Sequence, residues 1–123
     1  MKKKKILVVD DESGFTRLMK IALPQYEIRE ENHPQRALET AREFRPDLIL
    51  LDVIMPGLDG GDLAAQIGED VVLRSIPIVF LTAIVSPVEA GKSARHIGGY
   101  PFLAKPVSAE ALERCIEEHL DKV

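Results

Sequence analysis

Three unbroken apolar runs constrain this chain more than any other feature. Lys5-Ile6-Leu7-Val8-Val9, Leu48-Ile49-Leu50-Leu51 and Ile78-Val79-Phe80-Leu81 show no polar alternation. A strand buried on both faces reads this way, and such strands belong to parallel sheets covered by helices. The segments between the runs carry helical spacing. Phe15, Leu18, Met19 and Ala22 lie at i, i+3, i+4 and i+7, one helix face, which Pro24 ends. Ala37, Leu38, Ala41 and Phe44 form a second stripe, opened by Asn32-His33-Pro34 and closed by Pro46. Pro56-Gly57 and Gly60-Gly61 read as a loop, followed by a third stripe of Leu63, Ala64, Ile67 and Val71. Ser86-Pro87-Val88-Glu89 has the form of a capping box and predicts a fourth helix, ended by Gly98-Gly99. Leu112, Cys115, Ile116 and Leu120 face inward on the last helix, with Ser108 as N-cap and Val107 and Leu112 as a hydrophobic staple. Tyr26 to Glu30 and Phe102-Leu103-Ala104 supply two shorter strands.

Five β-α pairs in this order predict an α/β fold: a single doubly wound (βα)5 domain over residues 1–123, with helices on both faces of a parallel sheet. Pro101 at the start of strand five suits an edge strand, which favours the order 2-1-3-4-5. That order opens a crevice at the carboxyl ends of strands one and three, where ligands bind in such sheets. With 46% hydrophobic residues the chain can build its core without a staple, and a single cysteine excludes an internal disulfide or a cysteine-based zinc site. No apolar run approaches the roughly 20 residues that span a bilayer, and no signal-type segment follows Lys2 to Lys5. The expectation is a soluble cytoplasmic protein without membrane insertion. A net charge of −4 argues against direct nucleic-acid binding.

The strand ends hold the reactive groups. Asp10 and Asp11 close strand one, Asp52 strand three, Thr82 strand four and Lys105 strand five. Parallel strands point these ends the same way, so three carboxylates, a hydroxyl and an ammonium converge. Three like charges repel unless a cation intervenes. Oxygen donors without histidine or cysteine select Mg²⁺. A carboxylate in that setting can attack a phosphoryl group and become an aspartyl phosphate, a step that depends on positioning and charge neutralisation. Lys105 can neutralise one phosphoryl oxygen and the Thr82 hydroxyl can donate to another.

These residues give the chain its resemblance to the receiver domain of two-component response regulators. The resemblance rests on Val9-Asp10-Asp11-Glu12, on Leu51-Asp52-Val53-Ile54-Met55-Pro56-Gly57 with Asp59-Gly60, on Leu81-Thr82-Ala83 and on Lys105-Pro106. It covers the whole chain, and the spacings of 42, 30 and 23 residues from Asp10 through Asp52 and Thr82 to Lys105 carry its specificity. It implies a flavodoxin-like, CheY-like fold, with Asp52 as phosphoacceptor, Asp11 as direct Mg²⁺ ligand, Asp10 acting through water and the main-chain carbonyl of Ile54 as a further ligand. It implies Thr82 and Phe102 as the switch pair, Lys105 as the phosphoryl-binding cation, a cis peptide before Pro106, and a small residue, Ala83, beside the phosphodonor route. Tyr100 has the more useful hydroxyl, but the spacing to Lys105 favours Phe102. Ile54 and Ile84 fall where the family sets the lifetime of the phosphoryl group.

The implied function is a phosphorylation-gated switch in a phosphorelay, not an enzyme beyond its own phosphorylation and dephosphorylation. The implied partners are a histidine kinase or histidine phosphotransfer protein and a downstream output domain or protein, with the face of helix four, strand five and helix five changing shape. The alternatives are a degenerate receiver that only binds partners and a fragment of a larger hybrid kinase or regulator. A haloacid-dehalogenase-type phosphatase requires a second aspartate where Ile54 stands, and a flavin binder would have its phosphate repelled by Asp10-Asp11-Glu12. Helix five, with Glu113, Arg114, Glu117 and Glu118 outward, lacks the charge pattern of regulators that dimerise through that face. Lys2 to Lys4 read as a solvated edge, Cys115 and Met19 as core, Met55 as a cover for the site. His33, His96 and His119 receive no role and are expected at helix ends or outer faces.

Overall fold

The structure, a computed structural model, describes residues 2–55, 58–82, 96–97, 100–105 and 107–120. Five parallel strands, β1 (Lys5–Val9), β2 (Glu27–Glu31), β3 (Leu48–Asp52), β4 (Ile78–Thr82) and β5 (Tyr100–Ala104), form one sheet in the order β2-β1-β3-β4-β5. The helices are α1 (Ser13–Ala22), α2 (Ala37–Phe44), α3 (Gly60–Glu69) and a C-terminal helix (Ala109–Leu120). The predicted fourth helix and its capping box at Ser86 lie outside the described residues.

The apolar runs divide residue by residue between two cores, the period-2 geometry of a strand. Leu7, Val9, Ile49, Leu51, Ile78 and Phe80 pack with Ala37, Ala41 and Phe44 of α2 and Leu63, Ala64 and Ile67 of α3. Ile6, Val8, Leu48, Leu50, Val79 and Leu81 pack with Met19 of α1, the adjacent Leu23, and Leu112, Cys115 and Ile116 of the C-terminal helix. All five residues of β3 are buried, as its unbroken run predicts. The cap expected at Ser108 is present: its hydroxyl accepts the Ala111 N–H at 3.1 Å, and Val107 packs against the core that contains Leu112. Burial pushes the Cys115 thiol up to about 11, so it is an inert core residue.

Several local expectations are corrected. The inward face of α1 carries Thr16 and Met19, while Leu18 is 66% exposed and Ala22 is also exposed. The burial stripe is turned by about one residue because Thr16 has a polar partner under the sheet edge. Val71 lies beyond the end of α3 and is 76% exposed, and Leu73 takes the buried place instead. Gly60 and Gly61 open α3 rather than extending a loop, and Ile54–Met55 pairs antiparallel with Leu58–Asp59 ahead of it. Strand two runs one residue later than predicted, to Glu31, and the helix after it begins with a single 3-10 turn over Pro34–Arg36. Its end follows the sequence: Arg45 adopts φ 55°, caps Ala41 through its N–H, and precedes Pro46. Strand five is not the outer edge, because His96–Ile97 pairs antiparallel with Tyr100 and Pro101. His96 therefore stands in a short strand rather than at a helix end.

Gly60 is required by close approach. A Cβ there would lie 2.3 Å from the Asp52 carbonyl oxygen and 2.8 Å from Val53 Cα, both backbone atoms that cannot swing aside. Gly14, within α1, meets nothing within 4 Å. Urea unfolding should show Gly60→Ala destabilised by about 1–3 kcal/mol through overpacking and Gly14→Ala stabilised by about 0.5–1 kcal/mol through helix propensity. A neutral Gly60→Ala would refute the close-approach argument.

Candidate functional site

Asp10 follows the last residue of β1 and is wholly buried. Each of its polar groups is bonded. Its N–H donates to the Glu31 carbonyl at 3.1 Å, and its own carbonyl accepts the Asn32 amide at 2.8 Å. One carboxylate oxygen accepts the Glu12 N–H at 2.9 Å and the other meets Lys105 Nζ at 2.5 Å. The carboxylate thus closes a turn at the head of α1 and does not serve as that helix's N-cap, a position held by Glu12. Asp52, the last residue of β3, is 7% exposed, and Asp11 is exposed. One carboxylate oxygen from each of Asp10, Asp11 and Asp52 lies within 4.8 Å of the others.

Lys105 follows β5 and reaches back across the sheet. Besides Asp10, its ammonium lies 3.2 Å from Glu12 Oε1 and 3.7 Å from Asp52 Oδ2, and 4.5 Å from the centre of the Phe15 ring. Burial alone would lower its pKa. The bond to Asp10, the charges of Asp10 and Asp52 and the bond to Glu12 outweigh burial and raise it above 10.5. One ammonium faces three carboxylates, and Asp11 brings a fourth beside Asp10 and Asp52, so negative charge is in excess. An all-oxygen donor set, two of its three aspartates buried, fits a hard divalent cation such as Mg²⁺ and not a softer metal.

The structure therefore brings Asp10, Asp11, Asp52 and Lys105 together. The main chain of Thr82 ends β4 opposite Ala104, one residue past the pairing of Asp52 with Leu81. The main chain of Ile54 lies two residues past Asp52. The side chains of Thr82 and Ile54, together with Ala83, Ile84 and Pro106, lie outside the described residues. Phe102 is half-buried and packs against the core that contains Phe80, its register partner. Tyr100 meets Phe80 edge-on at 5.4 Å. Sequence reasoning gave no role at the site to Glu12, Phe15, Thr16, Glu30, Glu31, Asn32 or Gly60. Glu12 and Gly60 stood inside the quoted motifs, Phe15 in a helical stripe and Asn32 in a helix start. Thr16, Glu30 and Glu31 carry no signal in one sequence, since polar residues on a helix and at a strand end read as surface.

Residues 6–117 match the family described as the response regulator receiver domain. The chain belongs to that family. It is 36% identical over 112 residues to the phosphate regulon transcriptional regulatory protein PhoB of Pseudomonas aeruginosa, covering 89% of this chain and 48% of that protein. It is 30% identical over 125 residues to the probable transcriptional regulator ycf27 of Porphyridium aerugineum, covering 100% of this chain and 50% of the relative. The chain thus spans about half the length of these relatives. Its fold is similar to the chemotaxis protein CheY4 of Vibrio cholerae, with a TM-score of 0.81, 26% identity, and 95% and 98% of the two chains covered. The receiver domain is a signalling domain, and no helix among the described residues is long and apolar enough to cross a membrane.

The raised pKa of Lys105 fixes the sign of a pH effect. Its contribution to stability is complete below pH 10.5, the unfolded value, and is lost as pH rises through the higher folded value. Lys105→Met should lower the urea midpoint at neutral pH, because the buried Asp10 is left without its cation. The gap between wild type and variant should hold up to pH 10.5 and shrink above it. A gap that widens with alkaline pH would contradict this assignment.

Proposed function

We propose that this receiver domain is a phosphorylation-gated switch in which Asp52 accepts a phosphoryl group from a phosphohistidine of a histidine kinase or phosphotransfer protein. The observation that supports it is the placing of the Asp52 carboxylate beside Asp10 and Asp11, with the Lys105 ammonium 3.7 Å away. In the transfer an Asp52 oxygen forms a bond to phosphorus as the phosphorus–nitrogen bond of the donor breaks, and the electron pair leaves with the imidazole. Asp10, Asp11, Asp52 and the Ile54 carbonyl would hold Mg²⁺, which supplies charge neutralisation for the transferring oxygens. Lys105 is already neutral-pH cationic and held in place by Asp10, so it can meet a phosphoryl oxygen without reorganising. The Thr82 hydroxyl donates to another oxygen and moves inward. Phe102 then turns into the vacated space and reshapes the surface formed by the fourth helix, β5 and the C-terminal helix. An output domain or separate protein reads that surface, and the exchange takes place in the cytoplasm. The receiver domain spans residues 1–123, and its own chemistry is the gain and loss of its phosphoryl group.

Incubation with Mg²⁺ and acetyl phosphate should add a single phosphoryl mass, located at Asp52 by peptide mapping, and Asp52→Asn should abolish it. Labelling that survives in the variant would sink the assignment. Phosphoryl lifetime provides a second test. Ile54 and Ile84 offer no polar group to orient an attacking water, and a positioned polar group can contribute a factor of roughly 10² to such a step. The double variant Ile54→Asn with Ile84→Glu should lose phosphate markedly faster than wild type. Equal or slower loss would show that these positions do not govern the attacking water.

A further inference from the structure

The end of β2 carries two adjacent glutamates, and a strand sends neighbouring side chains to opposite faces. Each grips a hydroxyl of the helix on its own face. Glu30 Oε1 accepts the Thr16 hydroxyl of α1 at 2.8 Å. Glu31 Oε1 accepts the Thr40 hydroxyl of α2 at 2.5 Å, and its other oxygen accepts the His33 N–H at 3.0 Å. Glu31, Thr16 and Thr40 are all buried, at 8%, 0% and 7% exposure. The turn that follows these anchors presents Asn32. Its amide spends one N–H on the Asp10 carbonyl at 2.8 Å and the other on Thr16 Oγ1 at 2.9 Å. The Asp10 N–H is tied to the Glu31 carbonyl on the same strand. Both main-chain groups of the residue that opens the acidic loop are therefore held, one from the end of β2 and one from the turn after it.

We infer that Asn32, oriented by Thr16 and Glu30, is a positioning residue for the metal site: it fixes the loop that sets Asp10 and Asp11 against Asp52. This rests on the reading of Asp10, Asp11 and Asp52 as a Mg²⁺ site. Asn32 touches neither the metal nor the phosphoryl group. Without its amide the Asp10 carbonyl loses its partner, and the two following residues lose the restraint that gives Asp11 its direction. Partners that orient metal ligands typically cost 10–100-fold in affinity when removed.

Two measurements on the whole chain test it. In metal-free protein, amide exchange at Asp10 and Glu12, whose N–H groups are bonded to Glu31 and to the Asp10 carboxylate, should speed up in Asn32→Ala while exchange in β3 stays as in wild type. The midpoint of a Mg²⁺ titration should rise about tenfold in Asn32→Ala and rise in Thr16→Val, while Thr16→Ser, which keeps the hydroxyl, stays near wild type. The double variant should resemble Asn32→Ala alone, since both act through one chain of bonds. Ile116→Val, on the C-terminal helix and outside this chain of hydrogen bonds, should lower stability without moving the Mg²⁺ midpoint. Wild-type exchange and a wild-type midpoint in Asn32→Ala would overturn the inference. A wild-type protein that takes no Mg²⁺ would overturn the metal reading itself, and the exchange arm alone would then still decide whether Asn32 holds the loop.

Discussion

The structure turns on a carboxylate with no exposure to water, at the end of an inner strand. An unpaired buried charge costs several kcal/mol, so Asp10 forces partners to be brought to it. Two meet the carboxylate, the Glu12 N–H and Lys105, which lies 95 residues away in sequence, while β2 and the turn after it hold the main chain of Asp10. Lys105 follows β5, three strands over from β1 in the sheet order β1-β3-β4-β5. Phe15 lies against the ammonium from the α1 side, which adds a cation–π contact and a wall. One buried charge thus ties the first turn of the chain to its last strand.

How much of this could be read in the sequence depends on whether a signal is repeated or single. The sheet was legible because each apolar run states its own burial twice, once for each face, and three runs agree. The helical stripes were legible in outline and wrong at their margins. Leu18 and Val71 satisfy the spacing rule yet are 66% and 76% exposed. Apolar type does not say which of two adjacent positions faces the sheet, and the buried hydroxyl of Thr16 settled that in α1. Asp10, Asp11, Asp52 and Lys105 were legible because strand ends of a parallel sheet must converge. Gly60 was not, because its requirement is a backbone carbonyl, that of Asp52, standing where a Cβ would have to go, a fact of three dimensions. The added strand at His96–Ile97 was hidden by the glycine pair after it, which reads as a helix stop.

The end of β2 shows how a polar strand can be as determined as an apolar one. Glu30 and Glu31 would pass for solvated residues of an outer strand. Each instead closes a hydroxyl contact with a different helix, so the alternation of the strand fastens α1 and α2 to the same point. Polar anchors are directional where apolar packing is not. That is a reason to find them beside a site where loop direction matters and to find aliphatic residues further down the same strands.

The sheet is unequal from one side to the other, and this bears on where a signal can leave it. Every residue of β3 is buried, and all of β1 after Lys5. In β5 none is buried, and Phe102 and Tyr100 are only partly covered. A charge gained at Asp52 can shift a population only by its differential interaction with two arrangements. Rearranging β3 or β1 would open voids in two close-packed cores at once, at a cost of the order of 2–5 kcal/mol for each large side chain displaced. Rearranging β5 disturbs side chains that are already half in solvent. The register links the two places: Asp52 pairs with Leu81, Thr82 with Ala104 and Phe80 with Phe102, so the site and the aromatic edge share a single strand, β4. The cheapest response to a new charge at Asp52 would therefore run through β4 to β5, away from the hydrogen bonds that tie Asp10 to the end of β2.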